Sequence, residues 1–203
     1  TAIKVGLLFS LDQLNTPFQN LIDSFRAKSE EFAHILKMGR TQLQDAVPMT
    51  LGQEFGAFAN TLQNDLNMLY SIMPNALGVV NLAGTAIGTG INTEVEYRLH
   101  AIEALAQITQ KNISSSPDLI EATSYMGDFV LLSGFLKRTA TKLAKIANDL
   151  RLLSSGPRAG LNEIHLEPRQ PGSSIMPGKV NPVIPEAMNL ICFQVIANDL
   201  AVT

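Results

Sequence analysis

Several things are scarce in this 203-residue sequence, and each scarcity removes a class of explanation. There is a single cysteine, Cys192, so no internal disulfide can form and the sequence reads as intracellular and cytoplasmic. Its flanks Leu190, Ile191 and Phe193 predict a buried, unreactive thiol. Tryptophan is absent and aromatics make up only 6%, while Leu, Ala, Ile and Met abound, which favours helices over sheets. The formal net charge is -3 with both signs interspersed, leaving no electrostatic footprint for nucleic acid or an anionic membrane. No apolar run approaches the ~20 residues that span a bilayer. The three histidines, His34, His100 and His165, show no metal-ligand spacing, so no metal is expected. Hydrophobic residues still reach 46%, enough for a substantial core.

What remains is long helical periodicity broken by polar loops. Residues 1–14 read as the tail of one helix. Thr16-Pro17 then reads as an N-cap and first helical position, opening a second helix that ends near Lys37. Leu51, Phe55, Phe58, Leu62, Leu66, Leu69 and Met73 recur every three or four residues and predict a helix over 52–73, ended or kinked at Pro74. A shorter amphipathic helix covers 94–109, and Asp118 or Ser116 is placed to cap the next one. No proline occurs from Leu119 to Leu153, which permits a rod of ~35 residues, or ~50 Å. Along it Phe129, Leu136, Leu143 and Leu150 recur every seven residues. Leu132, Thr139, Ile146 and Leu153 fill the complementary heptad position, and Lys145 can pair with Asp149 outside. So long a rod argues for a bundle shared between subunits. A last helix begins near Ala187. No pair of strands with hairpin chemistry is visible, so the expected fold class is all-α, an elongated long-helix bundle.

Three polar loops remain as candidates for chemistry. Gly84 to Gly90 is glycine-rich, but no strand precedes it and no βαβ unit surrounds it, so a dinucleotide site is rejected. In Gly39 to Pro48, Thr41 and Gln42 have groups suited to a carboxylate, Asp45 to bracing the turn, and Arg40 to pairing with an acid. The third loop, Gln170 to Pro182, holds three prolines and two glycines between helical segments. Its Ser173, Ser174, Lys179 and Asn181 suit a small anion: an ammonium for charge, an amide for direction, and a hydroxyl able to act as nucleophile or, if ionised, base.

The third loop's Gly-Ser-Ser-Ile-Met-Pro-Gly-Lys-Val-Asn-Pro resembles the signature of the fumarase/aspartase superfamily. The Lys37–Phe55 block resembles that family's carboxylate-binding Thr-His/Gln region in its aspartase form, with Gln42 where many relatives carry histidine. Ser154 to Ile164 is also aspartase-like. The resemblance covers essentially the whole chain, with three blocks in the family's order. It implies that residues 1–203 are a central helical domain, a piece whose N- and C-terminal neighbours are missing, from a homotetramer with active sites shared between subunits. It implies reversible removal of ammonia from L-aspartate to give fumarate, with no metal or organic cofactor. By the same resemblance Ser173 is the base, Lys179 and Asn181 contact the substrate carboxylate, and Met176 lines the pocket beside Ser174. Thr41 and Gln42 form the second recognition element. The alternatives are fumarase-type elimination of water from malate, the more distant argininosuccinate and adenylosuccinate lyases, and a non-catalytic helical assembly module.

Overall fold

A computed structural model describes residues 1–203. The chain divides into two compact units, 1–129 and 130–203. In the first, α1 (Ala2–Glu31) leads through a hairpin of β1 (Leu36–Thr41) and β2 (Gln44–Thr50) into α2 (Leu51–Gly78). Leu8, Leu11, Phe18 and Ile22 of α1 are buried, as are Phe55, Phe58, Leu62, Leu66, Leu69, Met73 and Leu77 of α2, the row that the periodicity predicts. At one end Phe25, Phe32, Phe55 and Phe58 form a cluster with ring centroids 5.3–6.1 Å apart in tilted and edge-on pairs. The helices approach closely because Gly52 has no side chain: a Cβ there would stand 2.3 Å from the Ser29 carbonyl oxygen. Thr50 and Gln53 complete a capping box at the start of α2.

Three sequence expectations change here. Residues 1–14 and the segment after Pro17 are one helix, with Pro17 inside α1. Of the two outcomes expected at Pro74, an end to the helix is excluded, because α2 continues through it to Gly78. Losing one backbone donor is tolerated in both places because the buried rows on either side hold the helix. The segment from Leu36 to Thr50 is an antiparallel hairpin, where the sequence suggests no strand pair. Its turn residues, Gln42 and Leu43, adopt φ of 53° and 61° without the usual Asn or Gly, so the turn carries no composition signal.

Beyond α2, the two-residue strands β3 (Val79–Val80) and β4 (Ser114–Ser115) pair in parallel, with α3 (Val95–Thr109) between them. The glycine-rich segment is a set of turns against α4 (Leu119–Ser124): Gly88 sits at φ +91°, where a Cβ would meet the Leu119 carbonyl at 2.3 Å. Asp118 caps α4 by accepting from the backbone N–H groups of Ile120 and Glu121. The expected rod from Leu119 to Leu153 is interrupted. Tyr125 is extended, and α5 (Gly127–Leu153) starts afresh two residues later. Lys4 fixes this break, pairing with Asp128 at 2.5 Å and donating to the Val79 carbonyl at 2.7 Å.

In the second unit α5 runs on towards Leu153, and α6 (Val183–Val202) closes the chain. The latter begins four residues earlier than expected, because Pro185 falls in its first turn, where no backbone donor is needed. Of the two heptad rows, Leu132, Thr139, Ile146 and Leu153 are buried, whereas Leu136 is exposed. Lys145 pairs with Asp149 as its spacing predicts. Ala140, Ala144 and Cys192 form a small core with Leu143, Met188, Val195 and Ile196. Cys192 is buried as expected, and burial pushes its thiol pKa up. Near the end of α6, buried Asp199 accepts from Ser133 at 2.7 Å and pairs with Lys137. No helix is long and apolar enough to cross a membrane.

Candidate functional site

The residues singled out in the sequence fall into two groups, each on a loop that the chain fixes locally. Thr41 and Gln42 lie at the tip of the β1–β2 hairpin, both exposed. The ladder pairs Leu36 with Thr50 at its base and Thr41 with Gln44 at its tip, with an irregularity between Met38 and Arg40. Arg40 stands opposite Asp45, with Nε 3.9 Å from Oδ1, so these two brace the turn. Lys37 and Glu54 pair at 2.5 Å at the hairpin's base. A side chain at φ above zero costs about 1–2 kcal/mol, and here two consecutive residues hold that conformation. The tip is therefore kept in place by the ladder beneath it.

Ser173, Ser174, Met176, Lys179 and Asn181 share the loop between α5 and α6. That loop is closed on itself. The Ser173 N–H donates to the Lys179 carbonyl at 2.9 Å, and the Lys179 N–H donates to the Met176 carbonyl at 3.0 Å. The Met176 N–H donates to the Ser173 hydroxyl oxygen at 3.2 Å. Two glycines allow the closure: Gly178 turns the chain at φ +84°, and a Cβ on Gly172 would press on the Lys179 carbonyl at 3.0 Å. Ser173 is half-buried within this ring, whereas Ser174, Met176, Lys179 and Asn181 are exposed. A backbone donor on Ser173 Oγ suits a hydroxyl that must carry negative charge.

Lys179 and Asn181 line a cavity of about 430 Å³; Ser173, Ser174 and Met176 do not. The segment after α5 lines it as well, including Asn162 and His165, neither of which stands out as a site residue in the sequence. This segment is pinned too. The Glu163 N–H donates to the Leu153 carbonyl at 2.8 Å, and the Asn162 N–H to the Ser155 carbonyl at 2.9 Å. Asn162 itself has φ 50°, and a Cβ on Gly160 would meet the Ser155 carbonyl carbon at 2.3 Å. No aspartate or glutamate lines the cavity, so nothing opposes the Lys179 charge there. The arrangement can hold a small anion through an ammonium and an amide, with a hydroxyl on the adjoining ring available to take up a proton.

A family model described as "Lyase" matches residues 1–197. The chain belongs to the fumarase/aspartase lyase family. Within this family, an aspartate ammonia-lyase of Pseudomonas aeruginosa is 65% identical over all of this chain, which covers 43% of that protein. Among solved structures, a fumarate lyase:delta crystallin from Brucella melitensis is 56% identical with a TM-score of 0.95, over 98% of this chain and 43% of that one. A class II fumarase from Schistosoma mansoni is 34% identical with a TM-score of 0.88, over 92% of this chain and 42% of that one. The chain thus spans less than half the length of the lyases it matches.

Proposed function

We propose that residues 1–203 are the central helical domain of an aspartate ammonia-lyase, which removes ammonia from L-aspartate to give fumarate. The observation that carries this reading is the closed loop from Gly172 to Asn181, which puts a donor-supported serine on one ring with a lysine and an asparagine. The aspartate ammonia-lyase name of the 65% identical relative gives the substrate. The difficult step is taking a weakly acidic proton from the carbon beside a carboxylate. Ser173, in its ionised form, accepts that proton. The electron pair moves onto the carboxylate, where Lys179 and Asn181 stabilise the developing charge. It then returns to form the double bond as the carbon–nitrogen bond breaks and ammonia leaves. Met176 and Ser174 border the substrate on the ring, and in the assembled sites, built from different subunits, Thr41 and Gln42 hold the second carboxylate. Gln42 does so through an amide donor, so this step needs no imidazole. The proposed chemistry requires no metal or organic cofactor.

The same proposal extends to assembly and location. Leu190, Phe193 and Leu200 of α6 are 64%, 58% and 83% exposed, and such an apolar helix favours burial against further copies in a homotetramer with shared active sites. The lone cysteine favours the cytoplasm. The test follows fumarate by ultraviolet absorbance after adding L-aspartate to the full-length protein, with L-malate in parallel. Fumarate from aspartate alone is expected. Fumarate from malate alone would replace this reading with a fumarase.

A further inference from the structure

We infer that His165 is a substrate-binding residue, the partner of Lys179 and Asn181 in the same cavity in holding one carboxylate of a short dicarboxylate. The inference rests on reading the loop as a dicarboxylate site and extends that site to a second segment. His165 lines the same 430 Å³ cavity as Lys179 and Asn181, and it comes from a different segment, the one after α5. The side chains of these three residues take no hydrogen bond or ion pair within the chain, so their donors are free for a ligand.

Both segments are fixed by backbone bonds, so the loops that carry the three side chains are in place before a ligand arrives. On one side the Lys179 N–H and carbonyl are both engaged within the ring. On the other, the Leu153 carbonyl accepts from Glu163 and Ile164, the two residues before His165. Preorganised donors lose little freedom on binding, which is where such a site gains affinity. Ile164, Leu166 and Val180 supply apolar surface between the polar groups, suited to a short carbon chain with anionic ends. A polar cavity built only for water would have no reason to gather an ammonium, an imidazole and an amide with no acid among them. A lone histidine in a loop has no motif, so nothing in the sequence marks His165. Only the fold brings it into one cavity with Lys179.

The test uses succinate, which has the two carboxylates but no amino group to lose, so binding is separated from turnover. Calorimetry on the full-length protein should show succinate binding that His165→Ala weakens about ten-fold, as expected for a hydrogen bond to a charged group. His165→Gln, which retains a donor, should recover part of the loss. In turnover of L-aspartate, His165→Ala should raise KM with kcat little changed, whereas a merely structural role would lower kcat as well. Unchanged succinate affinity in His165→Ala would overturn the inference, as would a wild-type protein that binds no succinate. Succinate binding that depends on His165 in a protein that releases no fumarate would uphold the site and reject only the proposed reaction.

Discussion

The hairpin tip at Gln42 and the ring around Ser173 both present polar side chains on short connections, yet they are stabilised in opposite ways. The hairpin puts side-chain-bearing residues where glycine would be unstrained, at φ 53° and 61°, and relies on a paired ladder to hold them. The ring places glycine at its left-handed position, Gly178, and at its close approach, Gly172, and closes with two backbone bonds and one to the Ser173 hydroxyl. Strain is stored in the first and avoided in the second. Turn geometry alone favours glycine or asparagine at both hairpin positions, so Gln42 and Leu43 each carry a conformational cost.

The widest gap between the two loops should open when chemistry is removed from the ring without touching its backbone. Lys179→Ala in the full-length protein should lower kcat/KM for L-aspartate by about two orders of magnitude, the scale of a lost charged hydrogen bond in a site built to stabilise charge. Next comes the ring's conformation. Gly178→Ala meets no neighbouring atom, so its cost is the left-handed backbone alone, about 1–2 kcal/mol. It should reduce kcat/KM by up to about five- to thirty-fold and lower the melting temperature by only a few degrees.

The converse change at the hairpin removes strain. Leu43→Gly should raise stability to urea by about 0.5–1 kcal/mol, because relieving φ 61° outweighs the added freedom of the unfolded chain. If instead it lowers stability, the hairpin is not strained and the contrast between the loops fails.

A weaker effect lies in the helix after the ring. Hydrogen bonds from Lys137 and Ser133 hold the Asp199 carboxyl below its usual pKa. The stabilisation is therefore complete above the unfolded-state value, about 3.9, and is lost as pH falls through the lower folded-state value. Acid titration followed by circular dichroism should show this loss. Asp199→Asn should be less stable at neutral pH and show less change below pH 4.

The same two loops differ in how far their residues announce them. The ring was legible because prolines and glycines interrupt helical periodicity, and its signature is long and specific. The packing rows of α2 and α5 were legible because burial follows a repeat, as Leu62, Leu69, Leu132 and Ile146 do. The hairpin was not, since Gln42-Leu43 has no turn chemistry and its conformation is imposed by the ladder. The break at Tyr125 was hidden because no proline marks it, and the continuity through Pro17 was hidden because one does. His165 became a candidate only when its wall was folded against the ring.

Proton abstraction by Ser173 is the step on which the proposed reaction depends. Fumarate release from L-aspartate by the full-length Ser173→Ala protein, with succinate binding measured alongside, addresses it without intermediaries. Succinate binding should stay close to wild type while turnover falls by at least about two orders of magnitude, the range for loss of a positioned base. Turnover that survives undiminished would contradict the assignment, and the base would have to be sought elsewhere.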